Sequence, residues 1–156
     1  MSLGGGGGGR QQLQQLSQEI QEIQEEIEAL EDEIEGLRDE KTAVDEAVDA
    51  VESLDSGDTI QVPLGGGAYV RAEVQDMSEI IVDVGGGFAA ERDEDGAISG
   101  LETRKETLDE RIEEVNEEIA ELESESDQLE QKAQQMQQQQ MQQQMQAMQG
   151  EGDDGE

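Results

Sequence analysis

The sequence predicts an α+β chain: a long antiparallel α-helical coiled-coil hairpin with two β-hairpins at its centre. Three observations predict it. Apolar residues at alternating three- and four-residue spacing run through residues 10–54 and again through 97–136, the pattern of a coiled-coil seam. Between them lie two stretches in which every second residue is apolar, as in half-buried strands. Each of these is interrupted by three glycines, Gly65 to Gly67 and Gly85 to Gly87, which supply the positive φ angles of a tight reversal.

Taken in order, residues 1–9 form a glycine-rich leader. Six consecutive glycines, Gly4 to Gly9, are expected to be flexible and to stop a helix from starting earlier. Residues 10–54 form the N-terminal arm. Its seam is Leu13, Leu16, Ile20, Ile23, Ile27, Leu30, Ile34, Leu37, Lys41, Val44, Val48 and Val51, with Lys41 alone polar. Asp55-Ser56-Gly57-Asp58 ends the helix.

Residues 58–92 are the double β-hairpin, an assembly platform. Ile60, Val62 and Leu64 share one face, as do Ala68, Val70, Ala72 and Val74; Ile80, Val82 and Val84 share another, and Phe88 opens the fourth strand. Pro63 cannot donate a ladder hydrogen bond, so its strand is an edge or carries a bulge. A sheet of roughly 33 residues needs more strands or a covering layer, and no other segment of the chain is expected to cover it. Ile60, Val62, Leu64, Val70, Val74, Ile80, Val82, Val84 and Phe88 are therefore the expected oligomerisation residues.

Residues 97–136 form the C-terminal arm, with the seam Ile98, Leu101, Lys105, Leu108, Ile112, Val115, Ile119, Leu122, Ser126, Leu129, Ala133 and Met136. The two seams match in length, so the arms fold back antiparallel, with Leu13 near Met136 and Val51 near Ile98. Lys41 and Lys105 then fall about one turn apart, where a seam lysine penalises slippage. Residues 137–156 are a Gln/Met-rich tip and an acidic tail. Met141, Met145 and Met148 share a face if the helix continues; a frayed tail and an adaptable apolar patch both remain open readings.

Composition excludes several function classes. With 32% apolar and 1% aromatic residues, the chain cannot build an ordinary globular core. It has no Cys and no His, which removes thiolate zinc sites and the commonest general base. A net charge of −33 opposes nucleic acid and anionic membranes. No run is apolar and long enough to span a bilayer, and a cytoplasmic location is expected. The acid is spread along the whole chain, which fits adaptation to a very salty interior: near 1 M salt the Debye length is ~3 Å.

No cofactor and no metal site is expected. Glu91 to Glu102 carries acids at several EF-hand positions, but it starts with Glu and follows a strand where a helix should enter, so the turn reading of Asp95-Gly96 is preferred. Neither glycine triplet has the Lys-Ser/Thr of a nucleotide loop. No enzyme is expected.

The arm, double-hairpin, arm layout, with Val62-Pro63-Leu64-Gly65-Gly66-Gly67-Ala68-Tyr69-Val70 and Val82-Asp83-Val84-Gly85-Gly86-Gly87-Phe88, resembles the alpha class of archaeal prefoldin. The resemblance covers residues 10–136 in architecture, and two hairpins point to the alpha class. It implies a hexamer of two alpha and four beta subunits, with the hairpins forming an intersubunit β-barrel from which coiled coils project. It also implies ATP-independent holding of unfolded polypeptide at the coiled-coil tips and delivery to a group II chaperonin. Leu13, Leu16, Met136, Met141, Met145 and Met148 are the client-binding candidates, since they lie where the seam runs out. The alternative is a coiled-coil scaffold or spacer whose sheet only oligomerises.

Both arms are strongly acidic, so packing them side by side opposes like charges across the seam flanks. Helicity or assembly should be lost below a few tenths molar salt, where the Debye length exceeds about 5 Å. Circular dichroism melts across a KCl series check this; an unchanged midpoint from dilute buffer to multimolar KCl would remove the halophile argument.

Overall fold

A computed structural model describes residues 4–153, and side-chain surroundings for 8–150. The order of elements is α1 (Gly4–Ser53), β1 (Thr59–Gly65), β2 (Ala68–Glu73), β3 (Ile80–Gly85), β4 (Phe88–Arg92) and α2 (Glu94–Asp153). The chain divides into two compact units: residues 34–113, and residues 1–33 with 114–156.

The unit of residues 34–113 contains both hairpins and the helix segments that flank them. β1 pairs antiparallel with β2, and β3 with β4, as two separate two-stranded sheets. In the first, Val62 faces Val70 and Pro63 faces Tyr69; the register then slips so that Gly65 faces Ala68. Leu64 is the extra residue of a bulge directly after Pro63. The second hairpin repeats the device: Asp83 faces Ala89, Gly85 faces Phe88, and Val84 is the extra residue. All six triplet glycines have positive φ, between 62° and 95°. Two of each triplet make a mirror-image two-residue turn and the first accommodates the bulge. Side chains would be strained at all three positions, which is why the triplets are glycine.

Short polar contacts fix the hairpins to the helices. Gly57 N–H donates to the Val74 carbonyl at 2.7 Å and Val74 N–H to the Asp58 carbonyl at 2.8 Å. Met77 N–H donates to Ser56 Oγ at 3.0 Å, tying the inter-hairpin link to the exit of α1. Asp93 caps α2: Gly96 N–H donates to Asp93 Oδ1 at 2.8 Å, satisfying a donor that the helix leaves free. With the helix starting at Glu94, most of the Glu91 to Glu102 stretch is helical and cannot wrap an ion as a loop.

The seam series of both arms is the buried series. In this unit Ile34, Val44 and Leu108 are buried, with Leu37, Val48, Val51, Ile98, Leu101 and Ile112 half-buried. Lys41 Nζ pairs with Asp109 across the helices, and Lys105 Nζ with Asp45 at 2.7 Å. Both pairs sit at the same antiparallel register, the one that the matched seams predict.

In the unit of residues 1–33 and 114–156, Leu16, Ile23, Val115 and Ile119 are buried and Leu13, Ile20, Ile27, Leu30, Leu122, Leu129, Ala133 and Met136 half-buried. One expectation is corrected here. The glycines do not stop the helix: α1 already begins at Gly4, and α2 runs through the Gln tract to Asp153. Extending an existing helix avoids the nucleation cost. Glycine also permits close approach, since a Cβ at Gly9 would collide with the Gln140 side chain.

Ser126 is the one polar residue among the buried side chains described. It occupies the seam position that Ile112 and Ile119 hold in earlier turns. Ser126→Ile should stabilise this unit by about 1–2 kcal/mol of added apolar burial, read as a higher denaturant midpoint of the helical signal; a lower midpoint would mean that the site is too tight for isoleucine.

Candidate functional site

Two surfaces stand out, one in each unit. The first is the set of open apolar side chains on the hairpins, which occupy both faces of the sheets. Leu64 at 68%, Tyr69 at 62%, Ile81 at 71% and Phe88 at 74% exposure are joined by Val62, Val70 and Val84. A bulge advances a strand by one residue without a cross-strand partner, which leaves Leu64 and Val84 unpaired at the hairpin ends. Seven large apolar side chains left open on two small sheets are surface of the kind that interaction sites use.

The expected oligomerisation set divides on this surface. Val62, Leu64, Val70, Val84 and Phe88 are open, while Ile60, Val74 and Ile80 are half-buried. Val82 is a correction: it is buried at 9% exposure by its own chain. β3 packs on the first turns of α2, where a Cβ at Gly100 would lie 3.7 Å from Val82 Cγ1. The expectation that nothing in the chain covers the sheet therefore fails for this strand. Ile81, on the opposite face of β3, is open and was passed over because the alternation assigned the inward face to Ile80, Val82 and Val84. Tyr69 was visible as the chain's one tyrosine but not placed in the set.

Two clefts flank β3. One, about 410 Å³, is lined by Val82, Val84, Arg92, Thr103, Arg104 and Thr107 among others. The other, about 340 Å³, lies between Ala43, Val44 and Ala47 of α1, Ile81 of β3 and Leu101 of α2. Asp83 stands at both clefts. Its Oδ1 accepts Gly85 N–H at 2.9 Å, and its Oδ2 lies 3.5 Å from Arg104 Nη1. The turn amide first, and the guanidinium second, hold its carboxyl below the usual carboxylate range. Asp76 is lowered in the same way by the amide and hydroxyl of Ser78.

The second surface lies in the other unit. Leu16 is buried and Leu13 and Met136 are half-buried, beside a groove of about 260 Å³ that also includes Gln12, Glu19 and Lys132. Met141, Met145 and Met148 are exposed. Their exposure does not come from a broken opposing helix, as the glycine leader suggested, because α1 continues to Gly4. Gln140, not a methionine, holds the inward position beside Gly9, and the methionines are turned away from it. Among the described residues no cluster of acids is arranged to hold a metal ion, and no helix is long and apolar enough to cross a membrane.

The lowered pKa of Asp83 has a signed consequence. Its contribution to hairpin stability is present above the ordinary value of 3.8 and is lost as pH falls through the lower folded value. Asp83→Asn removes that titration. The stability advantage of the parent over Asp83→Asn should hold from neutral pH to about pH 4 and then shrink, measured by amide exchange in β3 and β4 at matched high salt; a constant difference down to the lowest pH would remove the assignment.

The chain matches the prefoldin subunit family over residues 10–139. It is 67% identical over 109 residues to prefoldin subunit alpha of Halobacterium salinarum, covering 70% of each chain. To that of Haloquadratum walsbyi it is 68% identical over 104 residues, covering 67% of this chain and 68% of the other. To that of Haloarcula marismortui it is 61% identical over 99 residues, and there the match spans 64% of each chain, just under two thirds of that relative's length. Among solved structures, a filamentous prefoldin from Methanocaldococcus jannaschii is similar with a TM-score of 0.50 at 25% identity, covering 77% of this chain and 96% of that one. The prefoldin beta subunit from Thermococcus strain KS-1, at 17% identity and a TM-score of 0.51 over 79% of this chain and 90% of that one, shares the fold.

Proposed function

The chain belongs to the prefoldin family of chaperone subunits, as a subunit of the alpha type, and from that premise we propose that it works by ATP-independent holding of unfolded polypeptide. It does so inside a hetero-oligomer with beta-type subunits, two alpha to four beta, in the cytoplasm, and passes its clients to a group II chaperonin. The hairpins are the assembly platform, closing with partner hairpins into a β-barrel, and the free ends of the helical arms meet the client. No step requires a bound cofactor or an enzymatic reaction.

The observation that carries this reading is the exposure of large apolar side chains on both hairpins, Leu64, Tyr69, Ile81, Val84 and Phe88. Two-stranded hairpins are marginal alone; added strands from other chains would cover these side chains and pair the free edges. The helical arms supply the second support. Met141, Met145 and Met148 give a flexible, polarisable surface that suits clients of varied sequence, and Leu13, Leu16 and Met136 lie in the seam nearby, available when the last turns open. High salt strengthens apolar contact and screens the acidic flanks.

Co-expression with a beta-type subunit tests both halves. Leu64→Asp combined with Phe88→Asp should abolish the hetero-oligomer, read by native mass, while helicity stays near the parent level, because both side chains are exposed in the isolated chain and a charge there costs several kcal/mol only once buried in an assembly. Replacing Met141, Met145 and Met148 with Gln should leave the oligomer intact and reduce suppression of aggregation of a denatured protein several-fold. Assembly at parental mass in the hairpin variant would refute the platform. Full holding by the Gln variant would move the client site elsewhere, and no holding by the parent oligomer would favour a scaffold.

A further inference from the structure

We propose that Met141, Met145 and Met148 form a reversible oxidation site through which a peroxide turns client holding down. The proposal rests on the reading that this face meets clients. The sequence has six methionines and no Cys, His or Trp. The thioethers are therefore its most readily oxidised groups. Met1 lies outside the described residues; the other five divide by exposure. Met77 sits half-buried by the inter-hairpin link and Met136 half-buried in the seam. Met141, Met145 and Met148 are 65%, 64% and 77% exposed. An oxidant that must reach sulfur thus meets three methionines on one helix face before the other two.

The face is also built so that oxidation changes its chemistry and leaves its structure alone. Gln140 takes the inward position against Gly9, so none of the three methionines is needed to hold α2 against α1. Their neighbours along the helix are glutamines, one alanine and one glycine, so the three thioethers are nearly all the apolar surface present. Each reaction transfers one oxygen: a sulfur lone pair attacks the peroxide, the O–O bond breaks, one oxygen bonds to sulfur as the sulfoxide and the other leaves as water. Sulfur loses two electrons and the peroxide gains them. A dithiol reductant reverses the step, with a sulfoxide reductase, returning the thioether and releasing water and a disulfide. Hydrogen peroxide is neutral, so the net charge of −33 does not repel it. A sulfoxide is polar and must be desolvated to meet an apolar client segment, so three of them convert the face from adhesive to solvated.

The test treats the assembled hetero-oligomer with graded hydrogen peroxide in multimolar KCl, and follows each methionine by peptide mass, helicity by circular dichroism, and suppression of aggregation. Met141, Met145 and Met148 should gain oxygen well ahead of Met77 and Met136 with helicity unchanged, and holding should fall several-fold and return after reductase with dithiol. A variant with all three changed to Leu should lose none of its own starting level of holding on peroxide treatment, because Leu has no thioether to oxidise. Equal oxidation of all five sites, or equal loss of holding by the Leu variant, overturns the proposal. Selective oxidation with unchanged holding also overturns it, and the Gln variant then separates the causes. If that variant has lost holding, the client reading stands and only the switch fails; if it holds fully, the client reading falls with it.

Discussion

The seam between α1 and α2 is the constraint on which the rest depends. Only 32% of the chain is apolar and 1% aromatic, so there is material for one line of buried side chains and little more. In the unit of residues 34–113 it goes to Ile34 and Val44 of α1 and Leu108 of α2, and in the other unit to Leu16 and Ile23 of α1 and Val115 and Ile119 of α2. What remains for the hairpins is the root of α2, where Ala97 and Gly100 are small enough for β3 to close over them and bury Val82. Ile60, Val74 and Ile80 are half-buried, and the sheets leave Leu64, Tyr69, Ile81 and Phe88 exposed. A chain that spends its apolar residues along a helix pair leaves its sheet for another chain to finish, and this follows from composition before any partner is named.

The fold was legible because two periods do not resemble each other. Spacings of three and four cannot be mistaken for an alternation of two, and three glycines set between two alternating runs mark a reversal. All twenty-four seam positions named from the sequence are buried or half-buried. The site was less legible. Alternation places residues on a face but does not say which face the chain covers, and the bulges after Pro63 and Asp83 interrupt the alternation where it matters most. Val82, expected at an interface, is already covered by α2 of its own chain, and Ile81, on the reverse face, is open. The glycine leader misled for another reason: propensity predicts what a segment does alone, whereas an existing helix beside a partner can extend through glycines.

Charge has a second use besides solubility. The two seam lysines are matched to acids on the facing helix, Lys41 to Asp109 and Lys105 to Asp45. A hydrogen bond to Asp45 and the field of that carboxylate raise the Lys105 pKa, so its charge persists further into the alkaline range. Exposed pairs of this kind add little stability, and strong salt weakens them further. Their value lies in register. Sliding by one heptad sets Lys41 opposite Asn116 in one direction and Lys105 opposite Arg38 in the other, so a slip either way loses one of the two matched pairs.

The same helical arithmetic explains why the methionines are available at all. The seam spacing of α2 continues past Met136 to the half-buried Gln140, whereas Met141, Met145 and Met148 lie roughly a third to half a turn round the helix from it. A methionine in place of Gln140 would lie against Gly9 of α1 and be part of the helix contact. Glutamine on the seam and glycine opposite it give a helix pair that extends without consuming apolar side chains. The apolar groups at that end are thereby separated from the contacts that hold the helices together. A surface arranged in this way can be covered by a client, or altered chemically, without a corresponding change in the helices that present it.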